Sequence, residues 1–292
     1  MGKTIVTHSG GFHADDVFAV AALLRLFPDA TVIRSRDQEI INQGDIVVDV
    51  GSEYDSDRLR FDHHQTGGAG ERVNGIPYAA VGLVWKHFGE EICGSKEVAE
   101  YVDTTFIQQI DAIDVAVTIS EPTRPDVVPY VLEDIIDFFL PTWKEGGQDK
   151  DKIFLELVAM CSKILDRVIQ HAGAQIEGRK FVEEAYAQAE DKRIIILDNY
   201  YPWKEVLVQK PEPLFLIYPR DDNKWGVRAV PESIGSLNDR KKFPVSWGGK
   251  RGSELANVSG VSDAVFCHVT RYLAGAESKE GALRLAQFAI EA

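Results

Sequence analysis

Four of the chain's seven histidines fall in two short clusters shared with aspartates. HSGGFHADD carries His8, His13, Asp15 and Asp16, and FDHHQ carries Asp62, His63 and His64. Asp49 closes the apolar run of DIVVDVG, and Asp111 and Asp114 stand three apart in IDAID. A weaker cluster lies downstream, where His268 follows VFC and Arg271 comes three residues later. Imidazole and carboxylate without thiolate suit a borderline-to-hard divalent ion, manganese before magnesium, with cobalt or zinc also admitted. Two such ions sharing a bridging carboxylate would hold a phosphodiester and a hydroxide side by side, the arrangement that serves phosphoryl hydrolysis. Each member has a plainer reading when taken alone. His8 is a strand-end histidine, Asp15 and Asp16 are helix caps, and Asp49 is a turn former. Asp111 and Asp114, on one face of a helix, are a solvated pair. FDHHQ resists such a reading, and the conjunction of all four clusters argues for a metal centre.

These side chains have to be carried by particular elements. Apolar runs predict strands at Lys3–Thr7, Ala30–Ile33, Asp45–Val50 and Leu59–Phe61. Helical spacing predicts helices over Asp15–Phe27, Ala79–Phe88 and Val98–Asp114. Strands alternating with helices predict a parallel α/β sheet, whose loops at the carboxyl ends of the strands would gather the clusters. Asp149–Glu190 reads as a long helical stretch. Strands follow at Arg193–Leu197, Leu214–Tyr218, Trp225–Val230 and Ala264–His268, and a helix at Lys279–Glu291. The expected fold is therefore α/β: a parallel-sheet N-terminal domain over residues 1–180, with its helical connector, and a smaller α/β C-terminal domain over 181–292.

Composition narrows the function classes. With 292 residues, 45% hydrophobic and 27% charged, the chain can bury a sizeable core. Its net charge of −14 excludes general attraction of polyanions, so a nucleic-acid substrate would need a local basic groove or metal ions to mask its phosphates. Cys93, Cys161 and Cys267 are scattered and form no CxxC pair, which predicts reduced thiols in a cytoplasmic protein. The start, MGKTIVTHSGG, lacks the pattern of a signal peptide, and no apolar run reaches membrane-spanning length, so no membrane association is expected.

In order and spacing, HSGGFHADD, VDVG, FDHHQ and IDAID resemble the motifs of the DHH phosphoesterase superfamily. More narrowly, the chain resembles the melanocyte proliferating gene (Myg) family of exonucleases. That likeness runs nearly end to end, through PYAAVGLVWKHFG at 77–89, LPTW at 140–143, AVPES at 229–233, SGVSDAVFCH at 259–268 and EGALRLA at 280–286. The resemblance implies a DHH-type catalytic domain and a substrate-binding C-terminal domain. It implies two divalent ions held by His8, His13, Asp15, Asp49 and His63, with Asp49 as the bridge and either Asp111 or Asp114 as a further ligand. Asp62 would orient His63, and His64 would face the scissile phosphate. Arg72, at the end of the Gly-rich stretch 65–72, and Arg251, His268 and Arg271 are the candidate substrate contacts. The leading expectation is a metal-dependent exonuclease cleaving RNA or short oligonucleotides by two-metal water attack. The alternatives are a hydrolase of pyrophosphate or a cyclic dinucleotide, and a metal-binding regulatory protein without turnover.

Overall fold

A computed structural model describes residues 2–124 and 126–292. The chain divides into two compact units, Met1–Gly173 and Ala174–Ala292. The first unit contains, in order, β1 (Thr4–Thr7), α1 (Ala14–Leu26), β2 (Thr31–Arg34), α2 (Gln38–Gln43), β3 (Ile46–Val48), β4 (Tyr54–Asp55), β5 (Arg60–Phe61), α3 (Ala80–Cys93), α4 (Lys96–Val102), a π-helical turn (Asp103–Ile107), α5 (Gln108–Asp114) and α6 (Leu132–Asp137). α7 (Lys150–Gln188) begins in this unit and ends in the second, which continues with β6 (Ile194–Ile196), α8 (Lys204–Leu207), β7 (Phe215–Pro219), β8 (Trp225–Ala229), α9 (Gly252–Ser259), β9 (Ala264–Cys267), β10 (Leu273–Ala276) and α10 (Lys279–Glu291).

The first sheet runs β2-β1-β3-β5-β4. Its first four strands are parallel and β4 alone is antiparallel, paired to β5. β1 and β3 are short and fully apolar at their centres, with Ile5, Val6, Ile46 and Val48 wholly buried. Continuous burial of this kind belongs to a parallel sheet covered on both faces. On one face α2 contributes Ile41 to a small core with Val6, Val47 and Val50. α1 packs against α3 and is buried on almost every side from Ala14 to Leu23, which explains an apolar composition that leaves little polar face. Two of those buried positions are Asp15 and Asp16, in its first turn.

The second sheet runs β6-β7-β8-β10-β9, parallel only between β6 and β7. One of its cores joins Phe215, Val227, Leu255 and Leu285; the other joins Leu216, Trp203, Leu207 and Val182. β6 and β7 thus send alternate residues to opposite cores, the period-2 pattern of a pleated strand.

The α/β class expected from the sequence is the one observed, and the differences are local. The helix expected over Val98–Asp114 is helical throughout, but a π turn at Asp103–Ile107 is set within it between α4 and α5. The strand expected at Leu59–Phe61 loses Leu59 to a left-handed conformation, φ 56°. β10 and α9 were not expected, because LAGA lacks β-branched residues and GSELANVS opens on glycine. No helix among the described residues is long and apolar enough to cross a membrane.

Phe18 is fully buried in α1, with its ring 5.3 Å from that of Phe106. Replacing it with alanine is expected to cost about 3–5 kcal/mol of unfolding free energy, read as a lower denaturant midpoint. A loss below about 1 kcal/mol would mean that α1 is not packed as described.

Candidate metal centre

The site begins with strand register. Val6 pairs with Val47, Val47 with Arg60, and Val48 with Phe61. The residues leaving β1, β3 and β5 are His8, Asp49 and Asp62, so these three emerge side by side at the carboxyl edge of the sheet. β1 has β2 on one side and β3 on the other, and connections that leave a strand in opposite directions open a crevice at its carboxyl end. Asp49 takes a left-handed backbone, φ 54°, and Gly51 follows at φ 100°. An aspartate in that conformation is locally strained, and such strain gathers at sites that need a side chain aimed unusually.

Asp49 points its two oxygens at two different imidazoles. Its Oδ2 is 3.3 Å from His8 Nε2, and its Oδ1 is 3.3 Å from His63 Nε2. His8 Nε2 also lies 3.2 Å from Asp16 Oδ2, and His63 Nε2 lies 3.2 Å from Asp114 Oδ2. Ligand atoms of His8, His13 and Asp49 fall within 4.8 Å of one another, as do those of Asp15, His63 and Asp114, and those of Asp49, Asp62, His63 and His64.

These contacts are close but are not aligned as hydrogen bonds. His8 Nε2, Asp16 Oδ2, Asp49 Oδ1 and His63 Nε2 are all buried without a hydrogen-bond partner among the described residues. Each such atom costs about 1–3 kcal/mol if nothing satisfies it. Lone pairs that converge without bonding one another fit a shared cation. Ligands about 2.1 Å from one ion are separated by about 3.0 Å in octahedral and about 3.4 Å in tetrahedral geometry, which brackets the spacings here. The donor set is therefore suited to divalent metal.

Charge supports the same conclusion. Burial raises the Asp15 pKa well above the ordinary carboxylate value, and the charges of Asp49, Asp114 and Asp111 raise it further. Asp114 is raised by burial and by Asp49. Burial would raise Asp49 as well, but its close contacts with the His63 and His8 rings outweigh it and hold Asp49 far below the usual range. Burial would lower His8, but Asp16 and Asp49 win and raise it to about 10. The polypeptide thus collects more negative charge here than its own cations offset, and a dication would relieve that excess.

Neighbouring groups hold the donors. Asp15 accepts the N–H groups of Ala80 and Val81, at 3.0 and 2.6 Å, and so caps α3 from another helix. Asp16 Oδ1 accepts the His13 N–H at 2.8 Å. Glu133 of α6 accepts the Ala14 N–H at 2.8 Å, beside His13 and Asp15. Asp62 corrects a sequence expectation. Its Oδ1 accepts the backbone N–H of His63 at 2.7 Å, while the ring it holds is that of His64, whose Nδ1 lies 2.7 Å away. Because His63 and His64 are adjacent, the reversal cannot be read from the sequence.

Asp111 and Asp114 separate clearly. Asp114 reaches His63 and Asp15. Asp111 is fully buried, accepts the Gly82 N–H at 3.0 Å, and sits 2.6 Å from Arg72 Nη1. A side chain on Gly82 would overlap the Asp111 carboxylate, so that glycine makes the room for it. Arg72 is buried as well. Its Nε and Nη2 donate to Asp103 at 2.9 and 2.6 Å, which turns its guanidinium toward carboxylates of its own chain.

The remaining candidates belong to the second unit, where Arg251 stacks over Phe266 with its guanidinium carbon 5.9 Å from the ring centre. His268 Nδ1 lies 2.7 Å from Thr270 Oγ1 and accepts the Thr270 N–H at 3.2 Å, and Arg271 Nη1 donates to the Phe243 carbonyl at 3.0 Å. The sequence reading passed over Glu133, which stands in no motif, and placed Asp16 in the first cluster without naming it a ligand. The doubled aspartate of HADD was the one available signal for Asp16.

Two measurements examine this arrangement. In the metal-free chain the raised His8 pKa contributes stability in full below the ordinary histidine value of 6.5, and this fades as pH rises toward about 10. A divalent ion requires the neutral ring, so ion binding must release that proton, and affinity should rise with pH across this window. Calorimetry in buffers of different ionisation enthalpy should read that release at pH 7.5; none would remove His8 from the ligand set. Separately, Asp114→Asn should lose bound metal, whereas Asp111→Asn should keep it and lower stability by about 1–3 kcal/mol. Metal content and denaturant melts decide, and the opposite pattern would exchange the two roles.

The comparisons with known proteins agree with one another. The family model MYG1_exonuc, described as Uncharacterised protein family (UPF0160), matches residues 4–290. A Schizosaccharomyces pombe MYG1 protein is 31% identical over 98% of this chain and 97% of its own. The MYG1 exonucleases of Homo sapiens and Rattus norvegicus are each 31% identical over 97% of this chain, and over 84% and 83% of their own lengths. No solved structure gives a significant match. The chain belongs to the MYG1 family.

Proposed function

We propose that this protein is a metal-dependent phosphodiester hydrolase, an exonuclease that acts on RNA or short oligonucleotides with two divalent ions, manganese foremost. One observation carries the reading: the cluster of His8, His13 and Asp49 and that of Asp49, Asp62, His63 and His64 share Asp49, and His8 Nε2, Asp49 Oδ1 and His63 Nε2 are buried without a hydrogen-bond partner among the described residues. In this assignment His8, His13 and Asp49 hold one ion, and Asp15, Asp49, His63 and Asp114 hold the other. The names of the relatives, MYG1 exonuclease, supply the reaction class. Paired ions of this kind polarise a phosphoryl oxygen and acidify water.

The polypeptide's own part falls mainly to His64. Its side chain is 59% exposed, while its Nδ1 is fixed by the buried Asp62 carboxylate. That pairing orients the ring and leaves Nε2 for the substrate, the division of labour between a buried aspartate and a working histidine. His64 is the group proposed to contact the phosphate and to manage the proton of the leaving oxygen. Arg251, His268 and Arg271 remain proposed substrate contacts. The net charge of −14 favours a short substrate over a long polyanion.

The test pairs metal stoichiometry with manganese-supported hydrolysis of short 5′-labelled RNAs, matching DNAs, pyrophosphate and cyclic dinucleotides. Asp49→Ala should lose metal and all turnover. His64→Ala should keep both ions and lower kcat by about 10²–10⁴-fold, and Asp62→Asn should reduce it by about 10–100-fold through His64. Retention of full metal and activity by Asp49→Ala would defeat the two-ion assignment. Cleavage of pyrophosphate alone would move the substrate to a small phosphate compound.

A further inference from the structure

The ion site built from His8 and His13 has an unusual dependence: the two ligands are joined by Ser9-Gly10-Gly11-Phe12, a loop with little packing of its own. Gly10 has φ +104°, and nothing lies within 4 Å of where a side chain would stand on Gly10 or Gly11. Only Phe12, fully buried, anchors the loop by packing. The rest is done by hydrogen bonds from outside. Arg34, the last residue of β2, donates from Nη2 to the carbonyls of Gly10 and Gly11 at 3.2 and 3.1 Å. Arg36 Nε donates to the Ser9 carbonyl at 3.1 Å. Three consecutive carbonyls are thus held by two arginines.

Arg34 is the buried member of the pair, with its side chain 2% exposed. Its guanidinium carbon lies 5.5 Å from the centre of the Phe12 ring and 4.6 Å from that of Phe154, and Nη1 donates to Asp151 at 2.9 Å. One cation therefore fastens the backbone of the loop, the loop's only packed side chain, and the first turn of α7. As a device for stability alone it is poorly made. Asp151 is largely exposed, so the ion pair is weak, and Arg34 Nε is buried with no partner among the described residues. The planar fork of an arginine is, by contrast, well suited to fixing two adjacent carbonyls at once.

We infer that Arg34 is a positioning residue for the metal centre: it sets His13 relative to His8 and so forms the ion site that these two share with Asp49. This rests on the metal reading proposed above, but it assigns a role to a residue that touches no ion and no substrate. It also makes a selective claim. Asp15, His63 and Asp114 are reached through α1, β5 and α5, none of which Arg34 holds.

The experiment compares the full-length wild type with Arg34→Met and Arg34→Lys, first freed of metal. Manganese is titrated by calorimetry and by loss of its free-ion paramagnetic resonance signal, and amide exchange is followed for residues 9–13. Arg34→Met should weaken one of two manganese sites by about 10–100-fold, leave the other unchanged, and speed exchange in the loop. Arg34→Lys keeps the charge but lacks the fork, so it should recover part of the affinity and serves as the variant of record if the methionine chain does not fold. Two wild-type sites in a folded Arg34→Met or Arg34→Lys chain would overturn the inference, as would equal weakening of both. A wild type that binds no manganese at all would instead defeat the metal reading itself, and this inference with it.

Discussion

The constraint on which the first unit depends is burial of negative charge at the carboxyl edge of its sheet. Asp15, Asp16, Asp49, Asp62 and Asp111 are all at most 3% exposed. A buried carboxylate is tolerated only when hydrogen-bonded, paired or bound to a cation. Each of these has a different solution. Asp62 is satisfied by N–H groups of Ser52, His63 and His64, and Asp111 by Arg72 and Gly82. Asp15 takes the first two of the orphan N–H groups that open α3, so the positive end of a helix dipole faces the site. Asp16 keeps one oxygen on the His13 N–H, and Asp49 faces only histidine rings among the described residues, which leaves it the carboxylate best placed for a cation.

This division explains why two aspartates on one short helix behave differently. Asp111 has an arginine beside it and a glycine beneath it, and burial still pushes its pKa up to about 7. Asp114, one helical turn on, has no arginine partner among the described residues and lies against His63. The charge of Arg72 offsets that of Asp111 while tying the Gly-rich stretch to α5. The π turn before α5 is part of the same arrangement, since it sets the face that α5 turns toward α3 and α1.

How much of this was legible in the sequence depends on the range of the interaction. Strand ends were legible because apolar runs stop where His8, Asp49 and Asp62 begin, and sheet register then aligns all three. The choice of metal-type donors was legible from residue chemistry alone. Partner choice was not. Nothing local says that Asp62 holds the ring of His64 rather than that of His63, or that Arg72 turns to Asp103 and Asp111 rather than to a substrate. Glu133 and Arg34 escaped because each acts across more than twenty residues of sequence, through backbone atoms that carry no sequence signal.

Exposure within the cluster also has a direction. His8, Asp15 and Asp49 form a floor closed to solvent, whereas His13 is exposed and His64 more than half so. Ions anchored by that floor would be open only on the side where His13 and His64 stand. Of these two imidazoles, only His64 is backed by a buried carboxylate among the described residues. On the function proposed above, the geometry that satisfies the buried charge would also set the side of approach, with the better-oriented histidine at the exposed edge. An arrangement required only to bind metal would gain nothing from a carboxylate spent on an exposed ring, whereas one that must protonate a departing oxygen depends on it.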